Sequence, residues 1–143
     1  MIVLDTNVVS EPLRSRPHSA AVDWLDRQVI ETLYLTTITL AELRFGVASL
    51  PAGRRRDRLG ARIEDEVIGA FTGRILAFDE PASVAYATLR TRARDRARNQ
   101  GLALGAADAY IAGIVAAHGY AIATRDRAPF EAAGVAVIDP FDG

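Results

Sequence analysis

Residues 1–7, MIVLDTN, set four apolar residues directly against Asp5, Thr6 and Asn7. The β-branched Ile2 and Val3 make Ile2–Leu4 a short buried strand. Asp5 then has two readings. It caps the following turn or helix, as Asp often does, or the strand is a rigid support that holds a carboxylate at a site.

Outward from this strand, apolar periodicity alternates between strand and helix. A helix is expected over Ser19–Ile30, with Val22, Leu25, Val29 and Ile30 on one face, and a strand over Leu33–Leu35. Ile38–Leu50 reads as a helix halted by Pro51 and Gly53, and Arg54–Phe71 as a second long one. Arg74–Phe78 is strand-like, Pro81 to Arg98 helical and closed by Asn99 and Gly101, and Ala106–Ala117 a very apolar helix closed by Gly119. Tyr120–Ala123 and Val135–Ile138 are further strands around a short helix. Strands separated by helices imply parallel βαβ units with helices on both faces. The expected fold is therefore an α/β sandwich, and 143 residues without repeats or linkers suit one domain, 1–143.

Composition narrows the chemistry. There is no Cys, which removes disulfides, thiolate catalysis and Cys-based metal sites and fits a reducing compartment. All 17 basic residues are Arg, so chemistry needing Lys, such as a P-loop or Schiff base, is excluded. The net charge of −1 advertises no anionic partner globally. The start has no signal-peptide pattern. The stretch Gly101–Ala123 carries Asp108 at its centre and is interrupted by Gly119, which argues against a membrane span. A cytoplasmic protein without membrane contact is expected.

Four predicted strands end in acids: Asp5, Asp79, Asp126 and Asp139. Ligand sites of open parallel sheets lie outside the carboxyl ends of the strands, but helix starts share that edge. Asp79 in DEPAS is expected to cap its helix, and Asp139 before Pro140 to serve a loop. For Asp126, capping and a site role are evenly matched. Glu42 completes a capping-box pattern, Thr39–Glu42, and taken alone favours that role. Asp108 differs, being the single charged residue between Arg98 and Arg125 and sharing a helix face with Leu104, Ile111, Ala112 and Val115. A carboxylate on an apolar face must be paired or neutralised.

Gathering such acids is unfavourable: two carboxylates 4 Å apart repel by about 4 kcal/mol at an effective dielectric near 20. A cation relieves this, and hard oxygen donors without His or Cys suit Mg²⁺ or Mn²⁺.

These acids, in this order, resemble the PIN-domain family of metal-dependent ribonucleases, in particular its VapC-type toxins and their FitB-like branch. The resemblance spans nearly the whole chain and is carried by MIVLDTNVVSEPLR, TTITLAELRFGV, FDEP, AADAYIAGIVAAHG and ATRDRAPF. It implies a three-layer α/β/α sandwich around a mainly parallel sheet. It also implies an acidic quartet of Asp5, Glu42, Asp108 and Asp126, with Asp5 and Asp108 as metal ligands and the others joining directly or through water. Asn7 and Thr124 match positions that support the acids. Many relatives have Asn where Asp126 stands, and an acid where Pro129 precedes Phe130.

The implied function is that of a toxin: a Mg²⁺- or Mn²⁺-dependent endoribonuclease that cleaves RNA by metal-activated water, leaving 5′-phosphate and 3′-hydroxyl ends. The implied partners are RNA, a second copy of the chain, and a cognate VapB- or FitA-like antitoxin in a toxin–antitoxin hetero-oligomer. Arg54, Arg55, Arg56, Arg90, Arg94 and Arg98 are candidate phosphate contacts, with an ordinary solvated helix face as the even alternative. Two other functions compete. A catalytically silent PIN scaffold would bind RNA or a protein without turnover. Phosphoryl transfer through an aspartyl phosphate fits poorly, because position 7 is Asn and the usual Lys is lacking.

Overall fold

The computed structural model describes residues 1–100 and 104–142, without the side chains of residues 93 and 96–100. Among the described residues five strands are present: β1 (Ile2–Leu4), β2 (Leu33–Thr36), β3 (Ile75–Leu76), β4 (Ala121–Ala123) and β5 (Ala136–Ile138). Seven α-helices accompany them: α1 (Thr6–Val9), α2 (Ser19–Arg27), α3 (Thr37–Ala48), α4 (Arg54–Arg62), α5 (Glu80–Gln100), α6 (Ala106–His118) and α7 (Arg127–Ala132).

All strand pairings among the described residues are parallel, in the order β3-β2-β1-β4-β5. The chain works outward from β1 on one side, then returns to place β4 against β1's other edge. That reversal is the point where open parallel sheets form a crevice. It lies at the ends of β1 and β4, which is where Asp5 and Thr124 emerge.

Alternation along each strand divides the core into two layers. Val3 and Ile122 face a cluster with Leu89, Ile111, Val115 and Phe130, covered by α5, α6 and α7. Leu4, Leu33, Leu35 and Ala123 face a cluster with Leu40, Leu43, Ile63 and Phe71, joined by Trp24 and Leu25 of α2. Helices thus cover both faces, the three-layer arrangement expected of this sequence. Between α5 and α6, Gly113 sits so close that a Cβ there would lie 3.0 Å from Ala82 O and 3.0 Å from Tyr86 Cβ.

Local differences from the expectation have physical causes. The helix expected over Ser19–Ile30 ends at Arg27, with the Gln28 side chain donating to Trp24 O at 2.9 Å. Val29 and Ile30 therefore leave the apolar face and are exposed. The stretch expected as one helix over Arg54–Phe71 is helical throughout but changes pitch, with π turns over Ile63–Ile68 and a 3-10 turn over Gly69–Phe71. Wider turns bring Ile63, Val67, Ile68 and Phe71, at spacings of four, five and eight, onto one core face. The strand expected over Arg74–Phe78 keeps only two residues, because β3 has β2 as its single partner. Phe78 instead packs edge-on against Tyr86 and Tyr110. The expected stop at Gly101 lies outside the described residues.

Candidate functional site: an acidic cluster at the sheet's switch point

Asp5 leaves β1 buried, with 4% of its surface exposed. Its backbone N–H stays in the sheet, donating to Ala123 O at 2.9 Å. The capping role weighed for its carboxylate is realised with one oxygen, and the other oxygen is held separately. Oδ1 accepts the Thr6 N–H at 2.8 Å as the N-cap of α1, while Oδ2 accepts the Thr124 hydroxyl at 2.8 Å and, more weakly, the Asn7 amide at 3.4 Å. Asn7 also accepts the Arg125 N–H at 3.1 Å, and the Thr124 hydroxyl oxygen accepts the Asp126 N–H at 3.1 Å. This network ties the end of β1 to the end of β4. Residues 5, 7, 124 and 126 therefore form one fixed unit.

Glu42 does not form the capping box. Helix α3 begins at Thr37, with Thr36 as N-cap accepting the Thr39 N–H at 3.1 Å. Starting the helix upstream frees Glu42 from its terminus, and Glu42 Oε1 instead accepts the Thr6 hydroxyl at 2.7 Å. Thr6 was missed as a site residue; its place between Asp5 and Asn7, in the first turn of α1, is the signal that marks it. Asp79 caps α5 as expected, accepting the Ala82 N–H at 3.1 Å, and Asp139 accepts the Phe141 N–H at 2.9 Å in a loop. Asp126 holds the N-cap position of α7 without a side-chain capping bond, leaving its exposed carboxylate uncommitted.

Asp108 lies in the first turn of α6, partly buried, and no hydrogen bond to its carboxylate is made among the described residues. Burial pushes its pKa up to about 6, reinforced by the charges of Asp5, Asp126 and Glu42 in that order. Asp5 is also raised, chiefly by burial. The Thr124 and Thr6 hydrogen bonds oppose that rise, and Glu42 and Asp126 add to it. The charges of Glu42 and Asp126 thus bear on both Asp5 and Asp108, and that of Asp5 on Asp108. Among the described residues no three Asp, Glu or His side chains are drawn together as an ion-binding group. Glu42 and Asp126 are exposed, while Asp5 is buried and Asp108 partly so. The donors are carboxylates, hydroxyls and an amide, the chemistry that suits a hard divalent cation.

The candidate arginines separate. Arg55, with Arg58, lines a groove of about 890 Å³ that reaches Thr6 and Glu42 over an apolar floor including Leu43 and Val47. Arg56 turns to another cleft beside Arg44 and Glu64, and Arg54 is exposed at the start of α4. Arg90 lies over the Tyr86 ring at 5.5 Å and Arg94 pairs with Asp95 at 3.6 Å. The side chain of Arg98 is outside the described residues.

A parallel sheet covered by helices on both faces, with acidic side chains near its switch point, defines an α/β protein of the doubly wound kind. The chain belongs to the PIN-domain family, whose PIN domain profile matches residues 2–135. It is 51% identical over 142 residues to the VapC ribonuclease Y4jK of Sinorhizobium fredii, covering 99% of both chains. It is 47% identical over 141 residues to the toxin FitB of Neisseria gonorrhoeae, again over 99% of each. The crystal structure of FitAcB from the same organism superposes with a TM-score of 0.91 at 46% identity, covering 100% of both chains. No helix among the described residues is long and apolar enough to cross a membrane.

Proposed function

We propose that residues 1–143 form a single PIN-like nuclease domain, the toxic ribonuclease of a toxin–antitoxin pair, cleaving RNA with Mg²⁺ or Mn²⁺. The observation that carries this is the partly buried Asp108 carboxylate, which has no hydrogen-bond donor among the described residues and feels the charges of three other acids. Full-length similarity to a named VapC ribonuclease and to the toxin FitB supports the ribonuclease and toxin roles.

In this reading Asp5 and Asp108 hold the cation, and Glu42 and Asp126 complete the donor set directly or through water. When bound, the cation stabilises phosphoryl charge and makes water nucleophilic near neutral pH. Thr124, Asn7 and the Thr6 N–H fix the Asp5 carboxylate, and the Thr6 hydroxyl steers Glu42 toward the same edge. The products are 5′-phosphate and 3′-hydroxyl ends. The protein works in the cytoplasm, pairs with a second copy, and is held by a cognate antitoxin. Of the candidate phosphate contacts, Arg55 is the one that shares a groove with Glu42.

The test is RNA cleavage by the purified chain, freed of any antitoxin. Cleavage in Mn²⁺ is expected, and its abolition in Asp5→Ala and Asp108→Ala variants that retain the native circular-dichroism spectrum. Cleavage persisting in excess EDTA overturns the proposal. RNA binding without turnover in Mn²⁺ would favour the silent-scaffold reading instead.

A further inference from the structure

Arg125 stands between Thr124, which holds Asp5, and Asp126, and its own N–H is anchored to Asn7 Oδ1 at 3.1 Å. Its backbone therefore belongs to the fixed unit that builds the site. Its side chain packs on an aromatic ring. The guanidinium carbon lies 3.9 Å from the centroid of the Phe141 ring, and that ring is set in turn by an edge contact to His18 at 5.3 Å. The neighbouring Arg127 is engaged by Glu131 at 3.1 Å and Asp142 at 4.0 Å. Arg125, by contrast, has no carboxylate within ion-pair distance among the described residues. Nor is it among the charges acting on Asp5 or Asp108.

Arg125 is exposed, and the Phe141 ring supports one face of its guanidinium while the N–H donors at its edge make no ion pair among the described residues. A guanidinium with its plane stacked and its edge free is preorganised for the oxygens of a phosphate. We propose that Arg125, stacked on Phe141, is a positioning residue that grips a backbone phosphate of single-stranded RNA next to the one being cut. The inference rests on the ribonuclease reading for the identity of the strand.

Binding of a fluorescein-labelled single-stranded RNA to the full chain in EDTA, followed by anisotropy across a salt series, tests it apart from chemistry. Arg125→Ala is expected to weaken binding roughly tenfold or more, the loss of one charge-assisted contact. The slope of log K against log salt should fall by about 0.7, the single-strand value for one phosphate. Arg125→Lys should keep that slope but lose several-fold in affinity, because a flexible ammonium cannot stack in the same way. Phe141→Leu should behave like the lysine variant. In cleavage assays with Mn²⁺, Arg125→Ala should raise KM by the factor lost in binding and leave kcat within about twofold.

Unchanged affinity and salt slope in Arg125→Ala overturn the inference, as does a loss confined to kcat. RNA bound through Arg125 but never cut would overturn the ribonuclease reading and leave the phosphate grip standing. Cutting indifferent to Arg125 would do the reverse.

Discussion

At the scale of single residues, Asp108 is the most exposed to test. Its carboxyl titrates near 6 when folded, against 3.8 for an ordinary Asp. The folded state therefore binds more protons than the unfolded state between those values, and stability falls as pH rises through that window. At pH 7 the ionised group opposes folding. Asp108→Asn should raise stability by about 1 kcal/mol, once solvent screening of a half-exposed group is allowed for. On a chain of this size that is a rise of roughly 2–4 °C in Tm. If Asp108 holds the proposed cation, the same substitution should reduce RNA cleavage by about a thousandfold or more, since a ligand and its charge would be lost together. Calorimetry and a cleavage assay on one preparation check both halves. A second expectation follows from the same carboxyl. At limiting Mn²⁺, cleavage should fall about tenfold per pH unit below 6, because protons compete with the ion for Asp108. Saturating Mn²⁺ should move that limb to lower pH, and a pH–rate series at two metal concentrations measures the shift.

At the scale of elements, what positions the cluster is how helices begin and how closely they pack. The start of α3 at Thr37 decides where Glu42 points, and the sequence misleads there. Thr39 and Glu42 have the right types and spacing for a capping box, but Thr36, at the end of β2, is an equally good cap three residues earlier. A pattern of residue types does not say which threonine ends the strand; the pairing of Leu35 and Thr36 with β3 does. Thr36→Ala removes that cap and should cost about 1 kcal/mol, read as a lower midpoint of urea unfolding at constant slope. The contact of α5 with α6 is less forgiving. A methyl at Gly113 would meet the Ala82 carbonyl and the Tyr86 backbone, neither of which can rotate away. Gly113→Ala should therefore cost about 1–3 kcal/mol by forcing the helices apart. It should also weaken cleavage, because α6 carries Asp108.

At the scale of the whole molecule, much of the fold was legible because apolar periodicity and parallel topology constrain each other. The strand beginning at residue 2, the apolar helix around Asp108 and the strand at Ala121 could be read from pattern alone. The shortness of the edge strand at Ile75 and the change of pitch after Arg62 could not, since both depend on neighbours distant in sequence. Asp108 stood out as a charge on an apolar face, whereas Thr6 and Arg125 gain meaning only from what they touch across the fold. Charge supplies a global test. If the cluster is a cation site, millimolar Mg²⁺ or Mn²⁺ should raise the Tm of the native chain by several degrees, through preferential binding to the folded state. The Asp5→Asn and Asp108→Asn variants should show little of that response in the same thermal scan.

The sheet order also sets a timetable for synthesis. The strand made first occupies the middle of the sheet, and one of its two neighbours is not made until residues 121–123. A chain stalled before that point has an open central edge, no Thr124 to hold Asp5, and no Asp126. Such long-range pairing closes slowly, so the acidic cluster is assembled in the last steps of folding. An unfinished copy on the ribosome therefore lacks two of the four acids' supports and partners, Thr124 and Asp126.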